Sequence, residues 1–202
     1  MINHKHKCIF IHIQRTAGSF TEEFIDGRPS WMHHPKEKVL FETSKHLLAS
    51  QAKTLYKEYW DEYFKFSIVR NPWERMVSCL KFTKHFGLKV IDGKIDLSDY
   101  KKKYGFPNTV EYDQRYHKKT EIPQGVTGDG YSNILNEKLD FIASYDNLED
   151  DMNFIFNKIK LNKKFIFRPG ASKNYKKYFT EESKSDIELI YKNDLKKYNY
   201  IF

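Results

Sequence analysis

Ile9-Phe10-Ile11-His12-Ile13-Gln14-Arg15-Thr16-Ala17-Gly18-Ser19-Phe20 is the stretch whose reading decides the fold. Its apolar first half reads as a buried strand, predicted over Lys7 to Ile13. The run stops at a polar turn holding a cation, a glycine and two hydroxyls. A helical pattern begins at once, with Phe20 and Phe24 on one face, and Asp26-Gly27 and Arg28-Pro29 end it. Backbone N–H groups at a helix start are unpaired and carry partial positive charge, so such a junction suits a phosphate. Arg15 adds a full charge, and Gly18 removes a Cβ where backbone must approach a ligand. The turn is not the standard nucleoside-triphosphate loop, because no Lys-Ser or Lys-Thr pair follows its glycine to help hold magnesium. Taken alone, the stretch equally fits an ordinary strand and turn of an α/β core.

A second stretch repeats the plan. Tyr63 to Val69 reads as another central strand, and it runs into Arg70-Asn71-Pro72. Asn71 suits a helix N-cap and Pro72 the first helical position; the helix passes through Met76, Val77 and Leu80 to Phe86. Parallel strands joined by right-handed helical crossovers bring their C-terminal ends to one edge of a sheet. Arg15 and Arg70 then face one crevice, and Ser78 on the second helix adds a hydroxyl. Two separated anion sites at one crevice suit a nucleotide phosphorylated at both ends.

The remaining elements fill in an α/β domain. A helix is predicted over Ala49 to Tyr59, a third strand over Asp140 to Tyr145, and a helix over Leu148 to Lys160. In that last helix Met152, Ile155, Phe156 and Ile159 share one face. Thr180 caps a final helix reaching Tyr191. Residues 87–130 lack a core pattern; they read either as a substrate-facing insertion or as a structural excursion. Short helices fit Leu97 to Tyr104 and Thr109 to Lys118. Phe165 to Tyr178, with Arg168 and Pro169-Gly170, reads as a loop over the top of the sheet.

Composition narrows the function. The 202 residues fit a single domain, and 35 Lys and Arg against 27 Asp and Glu leave a net charge of +8. That balance favours a polyanionic or phosphorylated partner. Nothing resembles an arginine-rich arm or a zinc module, so no nucleic-acid partner is expected. Cys8 and Cys79 are too few for a disulfide framework and lie in apolar surroundings, which suits a reducing compartment. No apolar run is long enough to span a membrane, and the first residues lack a signal-peptide core, so a cytoplasmic location is expected. His33 and His34, with His4 and His6, invite a metal reading, but no Cys or carboxylate stands beside them at ligand spacing; no metal is expected.

With both motifs in view, the chain resembles the PAPS-dependent sulfotransferase superfamily, in the branch of carbohydrate sulfotransferases and their small bacterial relatives. The family's first motif is similar to Phe10-Ile11-His12-Ile13-Gln14-Arg15-Thr16-Ala17-Gly18-Ser19, and its second to Ile68-Val69-Arg70-Asn71-Pro72-Trp73-Glu74-Arg75-Met76-Val77-Ser78. His46, Trp60 to Phe66, Pro123-Gln124, Asp140 to Asp151, Asn174 to Thr180 and Asp194 also fit, so the resemblance spans almost the whole chain. It implies a three-layer α/β fold, a central parallel sheet flanked by helices with a P-loop-like donor turn. The donor it implies is PAPS (3′-phosphoadenosine 5′-phosphosulfate). On this reading Arg15, Thr16, Ala17, Gly18 and Ser19 cradle the 5′-phosphosulfate, and Arg70 and Ser78 hold the 3′-phosphate. Phe20 stands where relatives carry an aromatic near the adenine, and it serves equally as a core residue of the first helix. Ser172 and Lys173 are candidates for the loop that covers the nucleotide.

The sequence departs from the family at two places: Arg15 replaces the turn lysine and Gln14 the preceding proline. Arginine keeps the positive charge but presents a planar fork in place of an ammonium. Arg15 either performs the lysine's electrostatic role at the departing sulfuryl group or leaves activity reduced or lost. His46 is the first choice for the base that takes the acceptor proton, against a plain capping or packing role. His33, His34, Glu37 and Glu42 are the alternatives. The acceptor implied by family analogy is a carbohydrate hydroxyl, with other hydroxyl compounds open. Two rival readings are a non-catalytic relative that binds nucleotides or polyanions, and an ATP-dependent phosphotransferase.

Overall fold

The computed structural model describes residues 1–27, 46–82, 89–98, 130–168 and 174–202. The expected sites His33, His34, Glu37, Glu42, Ser172 and Lys173, and the helices expected near Leu97–Tyr104 and Thr109–Lys118, lie wholly or mostly outside these residues. Of the described residues, 1–27, 46–70 and 134–168 form one compact unit; 71–82, 89–98, 130–133 and 174–202 form a second.

The first unit is built on a sheet of four strands. These are β1 (Ile2–Asn3), β2 (Cys8–Ile11), β3 (Phe64–Val69) and β6 (Phe141–Ser144), in that spatial order. β2 pairs with β3 in parallel, Phe10 opposite Phe66, and β3 pairs with β6 in parallel, Ile68 opposite Ala143. The central sheet is therefore mostly parallel and flanked by helices, as expected. It is mixed rather than purely parallel, because β1 runs antiparallel to β2. The two-residue β1 has no run of apolar residues to announce it, which is why sequence pattern misses it.

Strand side chains alternate between faces. Cys8, Phe10, Phe66, Ile68 and Ala143 thus share one face, and they join a single core with α1 (Gly18–Asp26) and α5 (Leu148–Lys158). The apolar stripe expected on α5 is the buried one: Leu148, Met152, Ile155 and Phe156, with Ile159 just beyond. Phe10 and Phe66 stack at 4.9 Å between ring centres. α1 ends where Gly27 adopts a left-handed φ of 69° and its N–H bonds the Glu23 carbonyl, the glycine stop read from Asp26-Gly27. α2 spans Ala49–Leu55, shorter than expected, and turns follow it to β3.

The second unit begins with α3 (Pro72–Phe82), started as expected by Asn71. Its Oδ1 accepts from the Trp73 and Glu74 amides at 3.1 and 3.2 Å. β4 (Lys89–Ile91) and β5 (Lys94–Asp96) form an antiparallel hairpin across Asp92 and Gly93, both at positive φ. This part of the supposed excursion is regular structure; Asp-Gly between alternating residues is itself a hairpin signal. α4 (Gly130–Ile134) starts against a buried Asp194, which accepts from the Tyr131 amide at 2.7 Å and the Ser132 hydroxyl at 2.9 Å. Thr180 caps α6 (Glu181–Ile190), exchanging bonds with Ser183, and α7 (Lys192–Lys197) follows. Buried Arg75 donates to the Tyr191 hydroxyl at 3.0 Å.

Cys8 is fully buried on β2, and loss of hydration pushes its thiol up to about 12. The folded value lies above the ordinary one near 9.0, so the contribution is complete below that pH and lost as pH rises through about 12. Tyr198 is raised to about 12 as well, by burial and then by the nearby charge of Asp194. Folding stability should fall as pH climbs from 9.0 toward 12, and Cys8→Ala should flatten that fall. Urea unfolding at successive pH values measures it; equal slopes for both proteins would count against a buried thiol.

Candidate active site

The parallel pairing of β2 and β3 brings the two arginine turns to the same end of adjacent strands. Contact between them is direct: Arg70 Nη1 donates to the Arg15 carbonyl at 2.9 Å. The Arg70 guanidinium also lies over the Tyr145 ring, 3.9 Å from its centre, a cation–π arrangement. Arg70 is 4% exposed, so its charge sits against the turn and the aromatic face rather than in bulk water. Tyr145 follows directly on β6, so all three parallel strands contribute at this end.

The turn itself is held in an unusual backbone shape. Arg15 and Ala17 have φ of 60° and 67°, the left-handed region that disfavours any residue with a Cβ. Thr16, fully buried, donates its hydroxyl to the Ile13 carbonyl at 2.8 Å and so ties the turn to the strand end. Left-handed residues in such turns help converge backbone N–H groups on an anion. Ala17 is also the N-cap of α1 and offers no side-chain cap, and no acidic residue stands in the helix's first turn. A nine-residue helix therefore begins with its positive end uncompensated by its own side chains.

Gly18 has a different reason from the one expected. Its φ is not among the positive ones, and a Cβ there would stand 2.3 Å from His12 Nε2 and Cδ2. The space beside Gly18 is filled by the His12 ring, not reserved for a ligand. His12 Nδ1 bonds Glu22 Oε1 at 2.8 Å, both side chains being at most 6% exposed. Sequence reading missed Glu22. The available signal was its spacing: Gly18, Glu22 and Ile25 share the buried face of α1, while Glu23 points outward.

His46 arrives next to this group. Its ring is 4.4 Å from that of His12, edge to face, and its Nδ1 bonds the His12 carbonyl at 3.0 Å. A carbonyl only accepts, so Nδ1 carries the hydrogen and Nε2 is the basic nitrogen of the neutral ring. Phe20 is 38% exposed at the rim of an aromatic cluster, 5.0 Å from Phe24, 5.4 Å from Phe165 and 6.1 Å from Phe167. It has one face in the core and one available for stacking. Ser19 is half-buried at the start of α1, and Ser78 is buried on α3 in the second unit. Among the described residues, no group of three or more His, Cys, Asp or Glu could hold a metal ion, and no helix is long and apolar enough to cross a membrane.

An α/β sheet with two arginine-bearing turns at one strand end suits an anionic ligand there. The chain belongs to the sulfotransferase family, whose model matches residues 1–201. It is accordingly an enzyme of sulfuryl transfer. No curated protein and no solved structure matches it.

The backbone cost of the turn is measurable. Ala17→Gly should raise folding stability by roughly 1 kcal/mol, because the left-handed penalty outweighs the extra freedom of the unfolded chain. Urea midpoints measure this; a destabilised variant would mean that Ala17 does not sit at positive φ.

Proposed function

We propose that the chain transfers the sulfuryl group of PAPS to a hydroxyl of a carbohydrate, leaving adenosine 3′,5′-bisphosphate. The observation that carries this reading is the Arg70 bond to the Arg15 carbonyl, which joins the two motif turns in one structure. The uncapped start of α1, the half-buried Arg15 and the half-exposed Phe20 are compatible with a phosphosulfate and an adenine beside them. Arg70 and, by the second motif, Ser78 take the 3′-phosphate.

In the transfer, the bond from sulfur to the bridging phosphate oxygen breaks as the acceptor oxygen bonds to sulfur. Negative charge gathers on the departing phosphate oxygen, where Arg15 and the turn N–H groups stabilise it. Arg15 keeps the charge of the family's lysine and so keeps the role. His46 Nε2 takes the acceptor proton, and the Nδ1–H bond to the His12 carbonyl holds that tautomer. No step requires a metal. The net charge of +8 favours an acidic glycan as acceptor.

Calorimetric titration without added metal tests the donor site. Adenosine 3′,5′-bisphosphate should bind at least about tenfold more tightly than AMP, the loss expected for one charged hydrogen-bonding group. Arg70→Ala should remove that preference. Equal binding of the bisphosphate, AMP and ATP would end the sulfotransferase reading of these residues. Given an acceptor found by screening glycans with labelled PAPS, His46→Ala should lower turnover by about 100-fold or more while sparing bisphosphate binding. Near-normal turnover would remove His46 from the chemistry. Tight bisphosphate binding without turnover on any acceptor would overturn the role given to Arg15 in place of the family's lysine.

A further inference from the structure

We propose that Glu22 and His12 are positioning residues of the transfer site: their buried pair holds the donor turn against β2 and fixes the ring of His46. The proposal rests on the sulfotransferase reading for what the site does and on geometry for how the site is held.

His12 touches β2, α1 and His46 alike. It follows β2 on the same face as Phe10, whose ring stacks on it at 5.5 Å. Its Nδ1 bonds Glu22 on α1. Its Nε2 edge lies where a Cβ of Gly18 would be, so the ring sets how closely the start of α1 approaches the strand. Its carbonyl accepts from His46 Nδ1, and its ring meets the His46 ring edge to face. A shift of the His12 ring therefore moves both the donor turn and His46.

Glu22 is what keeps the ring in place. A carboxylate only accepts, so the bond orients the imidazole with Nδ1–H toward α1. Stability alone gives little reason for the pair, since well-packed apolar residues in place of a buried ion pair are often as stable or more so. A group that must keep one orientation beside a reacting centre does give a reason.

The test needs no acceptor. The full chain, labelled with ¹⁵N-histidine, is studied by long-range ¹H–¹⁵N correlation. His12→Gln and His46→Gln assign the two rings among the eight histidines. In the wild type His46 should show the pattern of Nδ1–H with a basic Nε2. Glu22→Leu should convert His46 to an averaged mixture of tautomers and weaken bisphosphate binding by about tenfold. Glu22→Gln, which keeps length and an accepting oxygen, should hold both near wild type. Should Glu22→Leu not fold, Glu22→Asp takes its place, because it keeps the charge and loses the reach. Gly18→Ala should weaken bisphosphate binding by a similar factor, and that effect should vanish on a His12→Ala background.

An unchanged His46 pattern, with bisphosphate affinity within about twofold in a folded Glu22→Leu or Glu22→Asp protein, overturns the proposal. Additive effects of Gly18→Ala and His12→Ala overturn it as well. A wild-type chain that binds no bisphosphate sinks the functional reading instead; the histidine spectra then still decide whether the pair fixes His46.

Discussion

The parallel pairing of Cys8–Ile11 with Phe64–Ser67 is the constraint on which the site depends. Side chains alternate along each strand, so the register decides which groups emerge together at the strand ends. Counting on from Phe10, Ile68 and Ala143, the same face continues into His12, Arg70 and Tyr145. A slip of one residue in either strand would turn one of these groups to the opposite face. The core that secures the register and the polar groups that meet at this end are therefore consecutive members of one alternating series.

Several polar groups buried near this end are matched to particular partners. Arg70 spends a donor on a backbone carbonyl and its charge on the Tyr145 ring; Glu22 and His12 take each other; Thr16 takes the Ile13 carbonyl. Burial without such partners would cost several kcal/mol per charged group. The price of the arrangement appears in the backbone, where Arg15 and Ala17 both lie at positive φ. Strain of this kind is sustained only where surrounding contacts over-determine the conformation, and here contacts from β2, β3 and α1 supply that constraint.

Much of this was legible in sequence. The Ile and Phe run, the 3.6-residue stripe of α5, the Asn71 and Thr180 caps and the Gly27 stop are local features, and local physics places them. The meeting of Arg15 and Arg70 was also legible, because crossover topology brings the ends of parallel strands together. What was not legible depends on which side chains meet across the junctions between elements. Spacing puts Glu22 on the buried face of α1 but does not name His12 as its partner, and neither His12 with Gly18 nor Asp194 with Tyr131 leaves a periodic trace. The glycine in the motif was read correctly as a close approach, but to the wrong neighbour, since sequence gives the missing Cβ and not what fills its place. The hairpin at Asp92-Gly93 was hidden by its short strands rather than by its turn, which carries the right residues.

The uncapped start of α1 has a thermodynamic consequence of its own. Ala17, at φ 67°, lies outside the extended backbone that a Ser, Thr, Asp or Asn N-cap uses, so this position does not supply the roughly 1 kcal/mol that such a cap gives. On the proposed donor-site reading, that stabilisation falls to the anion bound at the turn. Helix stability and ligand affinity then draw on the same helix-start amides, so occupancy of the turn and resistance to unfolding become linked quantities. On that reading the chain's melting temperature would act as a gauge of the anions around it, with sulfate or phosphate in a buffer raising it before any nucleotide is added.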